Sequence, residues 1–138
     1  MMANSEAASL EATKRELEEY ERSYADMFGE VPPLPKAKFE FATQVSPEAL
    51  KIVEQMRTQA FYNDTFDMKT TQMMLFAMLL VEGSGAAKYH AIAAQRYGAS
   101  WIELQTVVEL ATAVSALGPM NRGSALLNDL WQKDSKTD

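Results

Sequence analysis

The segment Met68–Glu82, MKTTQMMLFAMLLVE, constrains the fold more than any other stretch of the chain. After its first turn it is apolar nearly all round, the pattern of a helix covered on most of its sides. Its longest unbroken apolar run, Met73 to Val81, is nine residues, about half of the ~20 that cross a bilayer. The cover must therefore come from protein. A chain of 138 residues has room for one domain and one core, and small domains bury a low fraction of their surface. The segment is read as the central helix, and a subunit interface is the expected source of the cover that the chain itself lacks.

The rest of the sequence reads as helices around it. Residues 9–28 repeat Leu10, Leu17, Tyr20, Tyr24 and Met27 at steps of three, four and seven, with Ser9 as N-cap and Gly29 as the stop. Residues 29–45 hold Pro32, Pro33 and Pro35 and are read as an extended or turning connector with one helical turn around 38–43. Ser46-Pro47-Glu48 is a strong helix start, because the Ser46 hydroxyl can cap while proline at the first position misses no donor, and Leu50, Val53, Met56 and Ala60 are its expected apolar face. Gly83-Ser84-Gly85 breaks the central helix into a sharp turn, after which Ala86 to Tyr97 resumes helical periodicity. Ser100-Trp101-Ile102-Glu103 fits a capping box. Gly118-Pro119 is expected to end that helix and start a last one, with Ala125, Leu126, Leu127, Leu130 and Trp131 on its apolar side. No alternating strand pattern competes. The expected fold class is all-α, a compact bundle of about six helices joined by short turns. Its expected organisation is an N-terminal helix and connector (1–45), a helical core (46–132) and a polar tail (133–138).

Composition removes several functions. Thirteen Lys and Arg against nineteen Asp and Glu give a net charge of −6, the wrong sign for a phosphate-backbone binder, so no nucleic-acid partner is expected. No segment spans a membrane, and the N-terminus has neither the apolar core of a secretory signal nor the Arg-rich bias of a transit peptide, so a cytoplasmic location is expected. The absence of cysteine removes disulfides, thiolate nucleophiles and zinc–thiolate sites. A single histidine leaves too few ligands for a transition metal, and GSG lacks the Lys-Ser/Thr of a phosphate loop. Chemistry without cofactor or metal is the expectation.

His90, the lone histidine, is the first candidate for acid–base work near neutral pH. Its same-face neighbours at helical spacing are Ala86, Ala87, Ala93 and Ala94, which leave room beside the imidazole for a ligand or a closely packed helix. A buried histidine bonded to a backbone carbonyl fits the same pattern. Glu82 and Glu109 sit in the apolar stretches VEGSG and VVELA, where a carboxylate is costly unless paired. Glu82, just before the glycine turn, is the expected catalytic partner of His90, and a half-exposed edge position is the plainer reading of either. Lys88, Arg96, Arg57 and Arg122 are the cations in this region that an anionic substrate would need, with solvent exposure as the alternative for each. The methionines, nine in all, read as soft core filling.

The stretch FDMKTTQMMLFAMLLVEGSGAAKYHAIAAQRYGASWIELQTVVELATAV resembles the carboxymuconolactone decarboxylase family, which includes the alkyl hydroperoxidase D-like proteins, and the likeness extends over about residues 47–131. It rests on the helix start Phe66-Asp67-Met68-Lys69-Thr70, the apolar helix and turn, His90 at the place of the family histidine, Gly98-Ala99-Ser100 before the next cap, and Gly118-Pro119. Redox members carry two cysteines seven and four positions before the histidine, where this chain has Gly83 and Ala86, so thiol peroxidase chemistry is excluded. Gln72 stands near the place of their acidic relay residue, and Lys88-Tyr89-His90 is similar to the Lys-x-His of the cysteine-free decarboxylases.

The resemblance implies an all-α subunit in homotrimers or homohexamers, acting on small carboxylated intermediates of aromatic-compound breakdown. The expected activity is that of a cofactor-independent lyase, a decarboxylase, with His90 and Glu82 catalytic and Lys88, Arg122, Arg57 and Gln72 binding substrate. Two alternatives stand beside it: an isomerase or hydrolase using the same histidine, and a non-catalytic helical oligomer that has lost the family's chemistry.

Overall fold

The computed structural model describes residues 1–136; residues 137 and 138, the end of the expected polar tail, lie outside the described residues. Six helices follow one another: α1 (Met2–Phe28), α2 (Pro33–Val45), α3 (Pro47–Phe61), α4 (Met68–Glu82), α5 (Ala87–Arg96) and α6 (Trp101–Asp134). The fold is all-α, as expected.

Two apolar clusters hold the helices together. Leu17, Tyr24, Met27 and Phe28 of α1 meet Phe39 of α2, Leu50 of α3 and Ala93 of α5. Phe76 of α4 meets Ala87 and Ala94 of α5, Ala99, and Leu104 and Val107 of α6. Helix α5 is thus shared, with Ala93 facing one cluster and Ala87 and Ala94 the other. Its methyl side chains let helices approach closely on both sides, and His90, on the same helix, falls at the seam.

The helix boundaries show where local chemistry decides. Asp67 caps α4 by accepting from the Thr70 amide at 2.7 Å, and Gly83 closes it at φ 75°, a left-handed conformation suited to glycine. Ser100 and Glu103 form both halves of the capping box, whereas the Ser46 hydroxyl, at the start of α3, makes no capping bond.

Four expectations are corrected. Helix α1 starts at Met2 instead of Ser9, because the Ala- and Glu-containing residues before Ser9 are good helix formers and continue the same helix. The proline-containing connector is mostly helix α2: Pro33 and Pro35 fall in its first turn, where amides have no intrahelical acceptor to lose. Helix α6 runs through Gly118-Pro119 to Asp134. Proline removes one amide donor there, but the clash it usually imposes on the preceding residue is relieved because Gly118 has no Cβ.

The fourth concerns the face of α3. Leu50 and Glu54 are its buried residues, with Arg57 and Phe61 half-buried on the same side, while Ile52, Val53 and Met56 are exposed. An ion pair occupies the inner face and an apolar stripe the outer one.

Exposed apolar surface continues on α4 at Met74, Met78 and Val81, and on α6 at Val114, Leu117, Leu126, Leu127, Leu130 and Trp131. Helix α6 packs mainly on α4 through its first half, and beyond Ala111 it is exposed almost throughout. Among the described residues, no helix is long and apolar enough to cross a membrane.

Candidate active site

His90 is buried, at 6% exposure, between two aromatic rings. Phe28 of α1 and Phe61 of α3 both meet it edge to face, at 5.1 and 5.4 Å between centroids. Its Nδ1 lies 2.7 Å from Oε1 of Gln72 on α4. Gln72 is fully buried, and its Nε2 donates to the sulfurs of Met27 at 3.2 Å and Met68 at 3.4 Å. Thioethers are acceptors only, so the amide nitrogen belongs on their side and the oxygen faces the imidazole. Nδ1 therefore carries the proton and donates it to Gln72, which leaves Nε2 with a lone pair. Burial, and then the positive charge of Arg57, push the His90 pKa down to about 4, so the ring is neutral at pH 7.

Arg57 is held by a network that the sequence did not single out. Its Nε donates to Glu54 Oε2 at 2.8 Å and its Nη2 to Ser23 Oγ at 2.6 Å, and its guanidinium lies 3.9 Å from the centre of the Tyr24 ring. Glu54 is fully buried and also accepts from the Tyr24 hydroxyl and from Lys38 Nζ. Burial alone raises the Glu54 pKa, but hydrogen bonds from Lys38, Arg57 and Tyr24 outweigh it and hold the carboxyl below its usual range. Burial drives the Tyr24 phenol well above its ordinary value, so it stays a donor. Arg57 Nη1 is buried and has no hydrogen-bond partner.

His90 and Arg57 line one cavity of about 690 Å³. Its walls are largely apolar: Tyr24 and Phe28 of α1, the Pro32–Pro35 segment, Phe61 of α3, Leu75, Met78 and Leu79 of α4, and Tyr89 of α5, with Ser84-Gly85-Ala86 at the turn. Volume and lining match those of small-molecule sites, which are concave, mostly apolar and furnished with a few polar groups. Among the described residues no three metal-ligating His, Asp or Glu side chains gather.

Of the expected site residues, the structure brings His90, Arg57 and Gln72 together. Gln72 stands behind the imidazole, fully buried and outside the cavity lining, with its side-chain oxygen on His90 Nδ1. Glu82 is exposed at the end of α4 and is not part of the cavity, because it stands one turn beyond Met78 and Leu79, the last α4 residues of the wall. Glu109 is exposed and accepts from Gln105. Lys88 is exposed, with its ammonium 5.8 Å from the Tyr89 ring centre, and is not part of the lining. Arg122 is exposed in the distal half of α6 and is not part of the lining. The partner of His90 is a glutamine side chain, not a backbone carbonyl.

The model of the carboxymuconolactone decarboxylase family matches residues 47–129, well over half of the chain. The chain belongs to that family. No curated protein matches it, and no solved structure does. The matched region carries α3 to α6, and with them His90, Gln72, Glu54 and Arg57. Tyr24, Phe28 and Ser23, which complete the cavity wall and hold the guanidinium, come from α1, outside the family region.

Proposed function

We propose that this family member is a cofactor-independent enzyme that decarboxylates a small carboxylated lactone or dienoate from the breakdown of aromatic compounds, with His90 moving the proton. One observation carries the reading: a neutral imidazole with Nε2 unbonded and an arginine with an unpartnered N–H line the same apolar cavity. As the bond to the carboxylate carbon breaks, carbon dioxide leaves and the electron pair spreads onto the conjugated carbonyl oxygen as a dienolate. Arg57 holds the substrate's negative charge, on the carboxylate before the bond breaks and on the dienolate after it, while the apolar walls keep water from both. An anion beside Arg57 offsets the positive charge that depresses the His90 pKa, so Nε2 takes up a proton and delivers it to carbon.

A second reading, an isomerase, is favoured by the neutral state of His90. A neutral imidazole is ready to remove a proton from carbon and return it elsewhere on the same substrate, with no loss of carbon dioxide. The cavity open beside His90 argues against a non-catalytic role. The exposed apolar faces of α3, α4 and α6 support assembly with further copies of the chain, as a homotrimer or homohexamer in the cytoplasm.

The test offers the purified protein a panel of lactones and dienoates bearing one or two carboxylates, 4-carboxymuconolactone included, in deuterium oxide. Release of carbon dioxide with one deuteron in the product is the expected result, and His90→Gln should lower the rate by about 10²–10⁴-fold. Deuterium exchange with no carbon dioxide moves the assignment to the isomerase. Neither release nor exchange across the panel overturns the enzymatic reading.

A further inference from the structure

We infer that the cavity takes a ligand with one negative charge on an apolar body, and that Arg57 is the residue that reads that charge. The inference rests on the reading of this cavity as the substrate site and narrows its substrate class. Arg57 is the permanently charged residue of the lining. Behind it, Glu54 is shared between Arg57 and Lys38, so the network of one carboxylate and two cations keeps a single uncompensated positive charge. Most of the Arg57 donors are already taken, and the one without a partner is itself buried. Nε and Nη2 of Arg57 are taken by Glu54 and Ser23, the guanidinium plane is fixed against Tyr24, and Nη1 alone has no acceptor. The side chain is nine-tenths buried, at 10% exposure, so its charge is weakly screened by water.

A second carboxylate would find no counterpart. Away from Arg57 the walls are Phe28, Phe61, Leu75, Leu79 and Tyr89, and the remaining polar groups are neutral: the hydroxyls of Ser84 and Tyr89 and the imidazole of His90. These suit a carbonyl or ether oxygen. An ionised carboxylate among them would be buried without a partner, which is strongly unfavourable. Lys88, the nearest cation on α5 in sequence, is exposed and outside the lining. A lactone with two carboxylates is therefore disfavoured against one with a single carboxylate.

Calorimetric titration of the intact protein with three unreactive probes tests this: 3-phenylpropionate, its neutral amide 3-phenylpropanamide, and the dianion 3-(4-carboxyphenyl)propionate. In the wild type the monoanion should bind about tenfold or more tighter than the other two, the value of one charge-assisted hydrogen bond. Arg57→Gln should abolish the preference for acid over amide. Equal affinity for acid and amide in the wild type, binding of the dianion as tight as that of the monoanion, or no binding of any probe at millimolar concentration each overturns the inference. Because the wild-type comparison needs no variant, it stands even where Arg57→Gln fails to fold. Selective binding of the monoanion without turnover of any lactone would sink the proposed reaction and leave the subsite. His90-dependent carbon dioxide release from 4-carboxymuconolactone, which has two carboxylates, would do the reverse.

Discussion

Gln72 fixes the proton of His90. Its Oε1 accepts from Nδ1 at 2.7 Å while its amide hydrogens go to the sulfurs of Met27 and Met68, so the imidazole is held in one tautomer with the lone pair on Nε2. Gln72→Glu replaces the neutral acceptor with an anion at the same place and should raise the His90 pKa by about 1 to 3. Gln72→Leu removes the acceptor altogether and should release the tautomer. Titration of the His90 ring resonances by NMR reads both, and an unchanged tautomer in Gln72→Leu would show that another group orients the ring.

His90 also couples stability to pH. Its pKa in the folded protein, about 4, lies below the 6.5 of an unperturbed histidine, so between these values the unfolded chain binds a proton that the folded one refuses. The neutral ring is accommodated without penalty above pH 6.5; stability falls as pH drops toward 4 and then stops changing on this account. The whole effect is on the order of 3 kcal/mol, from about 1.4 kcal/mol for each unit between the two values. Urea midpoints measured from pH 7 to pH 4 should fall more steeply for the wild type than for His90→Gln. Parallel curves would contradict a buried neutral histidine.

Glu54 holds the cavity's arginine and is itself unreachable by water. Glu54→Ala leaves Arg57 without its buried partner, for which a cost of about 3–5 kcal/mol is expected. The same change unbalances the charge beside His90 and should push its pKa lower still, since Arg57 is already one cause of its depression. Thermal unfolding and the His90 titration report the two effects separately. A stable variant with an unshifted histidine would mean that Glu54 does not govern the charge of the cavity.

The parts of this fold that local chemistry determines were legible in the sequence. Asp67, Gly83 and the Ser100–Glu103 box mark helix ends through bonds between near neighbours, and each bond is present. His90 among alanines marks the place where the structure has a cavity between helices. Helix α3 was misread for a physical reason: periodicity assigns apolar residues to the inside, yet Glu54 and Arg57 neutralise each other there and leave Ile52, Val53 and Met56 outside. The i, i+3 spacing of Glu54 and Arg57 was a usable signal for an ion pair, but that the pair is buried depends on Tyr24, Ser23 and Lys38, which lie 16 to 34 positions away. The Pro119 misreading has the opposite origin. A local rule predicted a break, and Gly118 supplied the space that let the helix continue.

The distal half of α6 gives the remaining prediction. From Val114 to Trp131 it exposes Val114, Leu117, Leu126, Leu127, Leu130 and Trp131, and α3 adds Ile52, Val53 and Met56. Apolar patches of this extent on a small protein mark surfaces that associate, and two charges placed in the middle of such a contact would be buried unpaired in the assembly. Light scattering coupled to size exclusion should therefore give a multiple of the 15.4 kDa subunit mass for the wild type, and a smaller assembly or the single subunit for Leu127→Glu combined with Leu130→Glu. Because the cavity is built from α1 to α5, the variant should retain its binding of 3-phenylpropionate if one subunit forms the site alone. Loss of binding together with the loss of mass would mean that a neighbouring copy completes the cavity, and a wild-type mass of one subunit would remove the case for assembly through these faces.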